Sequence, residues 1–146
     1  MRIDGDKFRN LFVILFVAYL VYLFYLVFFS AYYGRGYHHR NYNFVPLKTI
    51  TEYLLLKHGI KGTIVNIGGN ILAFMPLGFL YPVVHKSKKN YKHILIVSFI
   101  LTCFIEGLQY ISGAGTCDID DVLLNVIGGL VGYIFYREIV KKGIIK

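Results

Sequence analysis

Six residues that can do chemistry lie close together in this chain: Glu106 and Gln109, then Asp118, Asp120, Asp121 and Asn125. Carboxylates so grouped can exchange a proton with a substrate as general acid and base. With neighbouring amides they can also hold a hydrogen-bond donor or a divalent cation through oxygen ligands. Their setting is what sets them apart. Ile94–Ile105 before them and Val122–Tyr136 after them are free of charge, and a charge at the centre of a bilayer costs roughly 3 kcal/mol or more. Side chains kept in such a place have work to do, in structure or in function.

Helical spacing arranges these groups. Ser98, Thr102, Glu106 and Gln109 follow one another at helical steps, so they form one polar stripe, which belongs inside a bundle or against a wet cavity. Asp121, Asn125, Gly128 and Gly132 run down one face of the next segment; Gly128 and Gly132 predict tight pairing with the second or third apolar segment. Asp118 suits a helix N-cap, and acids in the first turn suit the helix dipole. Capping needs one acid, though, and there are three. In an earlier segment Asn66 and Asn70 share a face, and Gly69 with Ala73 offers a small-residue surface for helix packing. Pro76, Gly78 and Pro82 interrupt its regularity. The bland reading of the two asparagines is interhelical bridging.

The elements that must position these residues are long and apolar. Of 146 residues, 56% are hydrophobic and 16% charged, and the charge-free runs are Leu11–Tyr33, Thr63–Val84 and the two already named. A spanning helix needs about 20 residues, which gives spans at approximately 10–33, 63–85, 93–112 and 119–138. The expected fold is all-α: one polytopic domain over 1–146, a four-helix transmembrane bundle. The net charge of +8 does not read as a nucleic-acid surface, because of where it sits. Arg2, Lys7, Arg9, Lys86, Lys88, Lys89, Lys92, Arg137, Lys141, Lys142 and Lys146 fall at the two termini and in the link between spans two and three. By the positive-inside rule that side is cytoplasmic, so both termini are expected inside the cell and the acidic stretch toward the exterior. The first apolar run is too long for the core of a signal peptide and has no small-residue exit, so an uncleaved span is expected. Tyr19, Tyr22 and Tyr25 along it read as packing or lipid contact.

The largest connection, 34–62, opens with Arg35, His38, His39 and Arg40. Adjacent histidines diverge on any regular element, and no third ligand follows at a diagnostic spacing. Cys103 and Cys117 lie at different depths and read as small hydrophobes. Pro46 suits a helix start and Gly59 its end; Lys48, Glu52 and Lys57 interrupt the apolar residues. An amphipathic helix over Leu47–Lys57, lying along the outer interface, is predicted.

Four stretches in order carry a resemblance: Arg40-Asn41-Tyr42-Asn43-Phe44-Val45-Pro46-Leu47-Lys48-Thr49-Ile50; Asn70-Ile71-Leu72-Ala73-Phe74-Met75-Pro76-Leu77-Gly78; Ile105-Glu106-Gly107-Leu108-Gln109; and Asp118-Ile119-Asp120-Asp121-Val122-Leu123-Leu124-Asn125-Val126-Ile127-Gly128. In combination they closely resemble the motifs of the VanZ-like membrane protein family, from about Arg40 to Tyr136. Many members carry an arginine shortly before the aspartate run; Ala114-Gly115-Thr116-Cys117 has none, so that role is vacant here or passes to Arg35 or Arg40. The resemblance implies a bacterial cell-envelope protein, with an association, through the family's namesake, with low-level resistance to the glycopeptide teicoplanin.

Two classes of function stay open. One is a membrane protein that binds an amphiphile or an envelope precursor, lipid-linked or glycopeptide, at an outer-face polar cluster. The other is an intramembrane enzyme acting on a lipid-linked or acylated substrate, with Glu106 or Asp121 as acid and base and Arg40 holding a phosphate or carboxylate. Against the enzyme stands the lack of a serine or cysteine nucleophile with a matched base, and of a phosphate-cradling glycine loop. A transport role is a weaker third. The residues specify no cofactor and leave metal binding and oligomeric state open. The expected site comprises Arg40, Asn43, Asn66, Asn70, Glu106, Gln109, Asp118, Asp121 and Asn125, gathered at the outer end of the bundle with Arg40 closing it from above.

Overall fold

The computed structural model describes residues 5–29, 41–85, 90–113 and 115–143. Helix α1 covers Gly5–Phe29 and is followed by a short strand β1, Asn41–Asn43, and helix α2, Lys48–Leu54. Helix α3, Gly59–Thr63, passes through a π-helical turn, Ile64–Gly68, into α4, Gly69–Val84. Helix α5, Tyr91–Ser112, leads by strand β2, Thr116–Asp118, into α6, Ile119–Lys141.

Four of these stretches are long and apolar enough to cross a membrane: Arg9–Phe29, Gly59–Val84, Tyr91–Ser112 and Ile119–Lys141. Their burial is the reverse of a water-soluble bundle. Large apolar side chains such as Ile100, Phe104, Ile111, Ile134 and Phe135 face outward, whereas Ser98, Thr102, Glu106, Gln109 and Asn125 are buried. Lipid cannot hydrogen-bond, so polar groups turn inward to find partners there. The chain is a multi-pass membrane protein, and the second span begins at Gly59, a turn earlier than the charge-free run suggests, with Lys61 inside its first turn.

Glycine sets the closest approach in the bundle. A Cβ on Gly128 would overlap the carbonyl oxygen of Ile71, one on Gly132 that of Met75, and one on Gly78 that of Gly129. Helices α4 and α6 therefore touch backbone to backbone, as the Gly128 and Gly132 spacing predicts for the second span. In lipid, where apolar burial gives little drive between helices, such van der Waals contact is a main source of association. The Gly69–Ala73 surface packs elsewhere: it faces α1, where the Tyr19 hydroxyl donates to the Ala73 carbonyl at 2.8 Å. Helix α1 is held lightly, with Leu23 its one buried side chain among the described residues.

The connection after α1 contains what hydrophobic periodicity does not reveal. β1 pairs in parallel with β2, Asn41 opposite Thr116, Tyr42 opposite Cys117 and Asn43 opposite Asp118. The predicted helix over Leu47–Lys57 is shorter than expected, ending at Leu54. Leu47 before it and Leu56 after it adopt left-handed backbone, with φ of 63° and 56°. Leu54, Leu55, Leu56 and Ile60 remain exposed, an apolar surface suited to the membrane interface.

Candidate functional site

Pro46 and Leu47 end one turn and start α2, whose first backbone N–H groups need acceptors. No side chain of α2 caps it; Asp120, from α6, does. Its Oδ1 accepts from Leu47 N at 2.6 Å and its Oδ2 from Ile50 N at 3.1 Å, and the residue is fully buried. Asp118 does parallel duty. Its side chain accepts from Asp120 N at 2.9 Å, capping α6, and also from Asn43 Nδ2 at 3.1 Å and the Thr49 hydroxyl at 2.6 Å. Two of the three acids thus bind the connection after α1 to the start of α6.

The third faces inward. Asn70 on α4 donates through Nδ2 to Asp121 Oδ1 at 2.7 Å. Glu106 on α5 accepts from Asp118 N through Oε2 at 2.9 Å, a bond to the backbone at the start of α6. Asn125 Nδ2 donates to the Thr102 hydroxyl at 2.8 Å, and Gln109 Nε2 to the Val27 carbonyl at 3.4 Å. These side chains surround a cavity of about 30 Å³, room for roughly two water molecules or one small polar group. Asn70, Glu106, Gln109, Asp121 and Asn125 supply its polar wall, and Leu23, Leu26, Val27 and Phe74 are among the residues of its apolar wall. The Asn125 Oδ1 is buried and has no hydrogen-bond partner, a state that costs roughly 1–3 kcal/mol.

The cavity has an apolar neighbour. A groove of about 240 Å³ between α1 and α4, walled by Tyr19, Tyr22, Gly69, Leu72 and Pro76, shares Leu23, Leu26 and Ala73 with it. Tyr22 and Leu72 at its rim are exposed, so the groove opens sideways, toward lipid.

Of the expected site residues, five line this one cavity. Asp118 and Asn43 sit just beyond it, joined through the Asp118–Glu106 bond. Asn66 does not line it; it lies within the π turn, whose extra residue shifts helical phase. Its Oδ1 is buried without a partner. Arg40, with Arg35, His38 and His39, lies outside the described residues. Among the described residues no group of three histidine, cysteine or acidic side chains gathers as a metal site, and both cysteines are free thiols. Burial first, then the Glu106 and Asp118 carboxylates, push the Cys117 thiol above its ordinary range. Burial and then Asp121, Asp118 and Glu52 raise the Tyr53 phenol in the same way. Sequence reasoning passed over Asp120 and Thr49 as site residues. The surplus of acids over what one cap requires was the available signal.

Fold and site together define a class: a polytopic membrane protein with a polar cavity near one end of its bundle, where the connection after α1 is tied to the start of α6. A family model described as VanZ/LLP1 matches residues 16–142. The chain is 31% identical over 126 residues to the protein named Protein VanZ from Enterococcus faecium, covering 84% of this chain and 71% of that one. No solved structure matches it. This chain belongs to the VanZ family.

Proposed function

We propose that this protein binds an amphiphile or envelope precursor at the outer face of the bacterial cell membrane and thereby lowers susceptibility to glycopeptides such as teicoplanin. One observation carries the reading: a polar cavity and a lipid-facing apolar groove share three wall residues, so a single ligand could place its chain in the groove and its polar end among the amides and carboxylates. Ligand sites favour this combination of apolar surface and few convergent polar groups. The distribution of Lys and Arg supports termini in the cytoplasm and the cavity at the outer end. Membership of the VanZ family supports the link to glycopeptides.

The test is a susceptibility assay in a sensitive Gram-positive host. Expression of the wild type should raise the teicoplanin concentration needed to stop growth, and Glu106→Gln and Asp121→Asn should abolish the rise at equal protein level in the membrane. Full protection by both variants would overturn the site. Loss of the protein from the membrane in both would assign the carboxylates to folding alone.

A further inference from the structure

We infer that the turn joining α2 to α3 is a docking surface for an anionic phospholipid, with its leucines and Ile60 against the acyl chains and Lys57 and Lys61 at the phosphate of the headgroup. None of these residues lines the polar cavity or the groove beside it, so the inference stands independently of the proposed function. Its apolar half begins with Leu54, Leu55 and Leu56, three consecutive leucines of which Leu55 is 65% exposed. Leu56 has a left-handed φ of 56°, a conformation unfavourable to any residue with a Cβ and open to glycine, as at Gly59 with φ of 71°. A leucine in such a place contributes its side chain and not its backbone. Ile60 and Ile64, four residues apart and both exposed, carry the apolar surface into the first turns of the second span. The patch therefore lies where that span enters the bilayer, and lipid is what covers it.

Charge selects the headgroup. From Lys48 to Lys61 the chain has three lysines, Lys48, Lys57 and Lys61, and one acid, Glu52, a surplus of two positive charges. Glu52 is shared: its carboxylate lies 3.8 Å from Lys57 Nζ and 4.0 Å from His58 Nε2. Among the described residues neither Lys48 nor Lys61 pairs with an acid. The other acids at this end are turned inward, for Glu106, Asp118 and Asp120 are buried and Asp121 lines the cavity. Lys61 sits in the first turn of the span between Ile60 and Ile64, so its stem runs along apolar surface while the ammonium reaches up to headgroup level. A lipid whose head bears net negative charge satisfies that ammonium; a zwitterionic head brings its own cation to the same place.

The chain has no tryptophan, which permits a single reporter. Leu55→Trp places one in the turn, and Phe104→Trp places a control on the exposed side of α5, three turns from Lys92. Each full-length variant is put in vesicles of phosphatidylcholine and phosphatidylglycerol in equal amounts, with bromine on the acyl chains of one lipid or the other. The two quenching levels give the relative affinity of each position for the two heads. At Leu55→Trp phosphatidylglycerol should be favoured about fivefold, the value of one lysine beside an anionic surface, and at Phe104→Trp the ratio should be near one. Salt at about 1 M, where the screening length is about 3 Å, should weaken the preference. Replacing both Lys57→Gln and Lys61→Gln should bring it close to one; both side chains are exposed, and the comparison of reporter with control uses the native lysines, so it decides the question even if that variant fails to fold. Equal quenching of Leu55→Trp by the two lipids overturns the anionic site, as does an equal preference at both reporters, which would come from the net charge of +8. A preference that survives loss of both lysines overturns their assignment to the headgroup. Quenching by neither lipid puts the turn off the bilayer, under some other partner, and overturns the docking surface altogether.

Discussion

Asp120 shows how one side chain decides the geometry of a whole connection. It is fully buried, and it holds two amides of a helix distant in sequence. Loss of a helix cap costs roughly 1 kcal/mol, and an unpaired buried amide up to about 3. Asp120→Ala should therefore lower the melting temperature of the purified protein by several degrees and speed hydrogen exchange at Leu47 and Ile50, with Asp120→Asn in between. Exchange at those amides unchanged from wild type would show that the cap contributes nothing. Cys117 gives a second reading at this scale. Its thiol is raised by burial and by Glu106 and Asp118, and the thiolate is the reactive form. Alkylation should therefore be slow near neutral pH and climb through an inflection above that of a free thiol. Glu106→Gln removes one raising cause, so the inflection should move to lower pH; a shift upward, or none, would contradict the assignment.

Among the elements, the pairing of α4 with α6 carries the bundle. Gly132 meets the Met75 carbonyl so closely that any side chain must push the helices apart, whereas a Cβ on Gly107 would meet nothing within 4 Å. Gly132→Leu should leave little folded protein in the membrane. Gly107→Ala should be neutral or stabilising by up to about 1 kcal/mol, since alanine is the better helix former; thermal unfolding in detergent compares the two. This pairing was legible in the sequence, because Gly128 and Gly132 repeat at helical spacing. So was the stripe of Ser98, Thr102, Glu106 and Gln109, all buried. The pairing of β1 with β2 was not legible. Three residues are too few for strand alternation to register, and the partner lies far along the chain. The role of Asp120 was hidden for a related reason: its partners are backbone amides at Leu47 and Ile50, which no side-chain pattern announces. The shortened α2 follows from the left-handed backbone at Leu47 and Leu56, residue types that give no warning of it.

For the molecule as a whole, the arrangement matters only if the cavity faces the right side of the membrane. The four spans put the end of α5, the start of α6 and the connection after α1 at one end, and the two described ends of the chain at the other. Lys48, Lys57 and Lys61 lie at the cavity end, while Arg9, Lys92, Arg137, Lys141 and Lys142 lie at the opposite one. An excess of basic residues near short loops marks the cytoplasmic side, so the cavity end should face out. Cys103 lies within a span and Cys117 at the cavity end. In intact cells an impermeant thiol reagent, applied at alkaline pH to overcome the raised thiol, should label the wild type, and Cys117→Ser should abolish that label. A cysteine placed at Ser87 in the Cys117→Ser background should stay unlabelled until the cells are opened. Labelling at that position in intact cells would invert the protein, turn the cavity toward the cytoplasm and remove the basis for an encounter with an external glycopeptide.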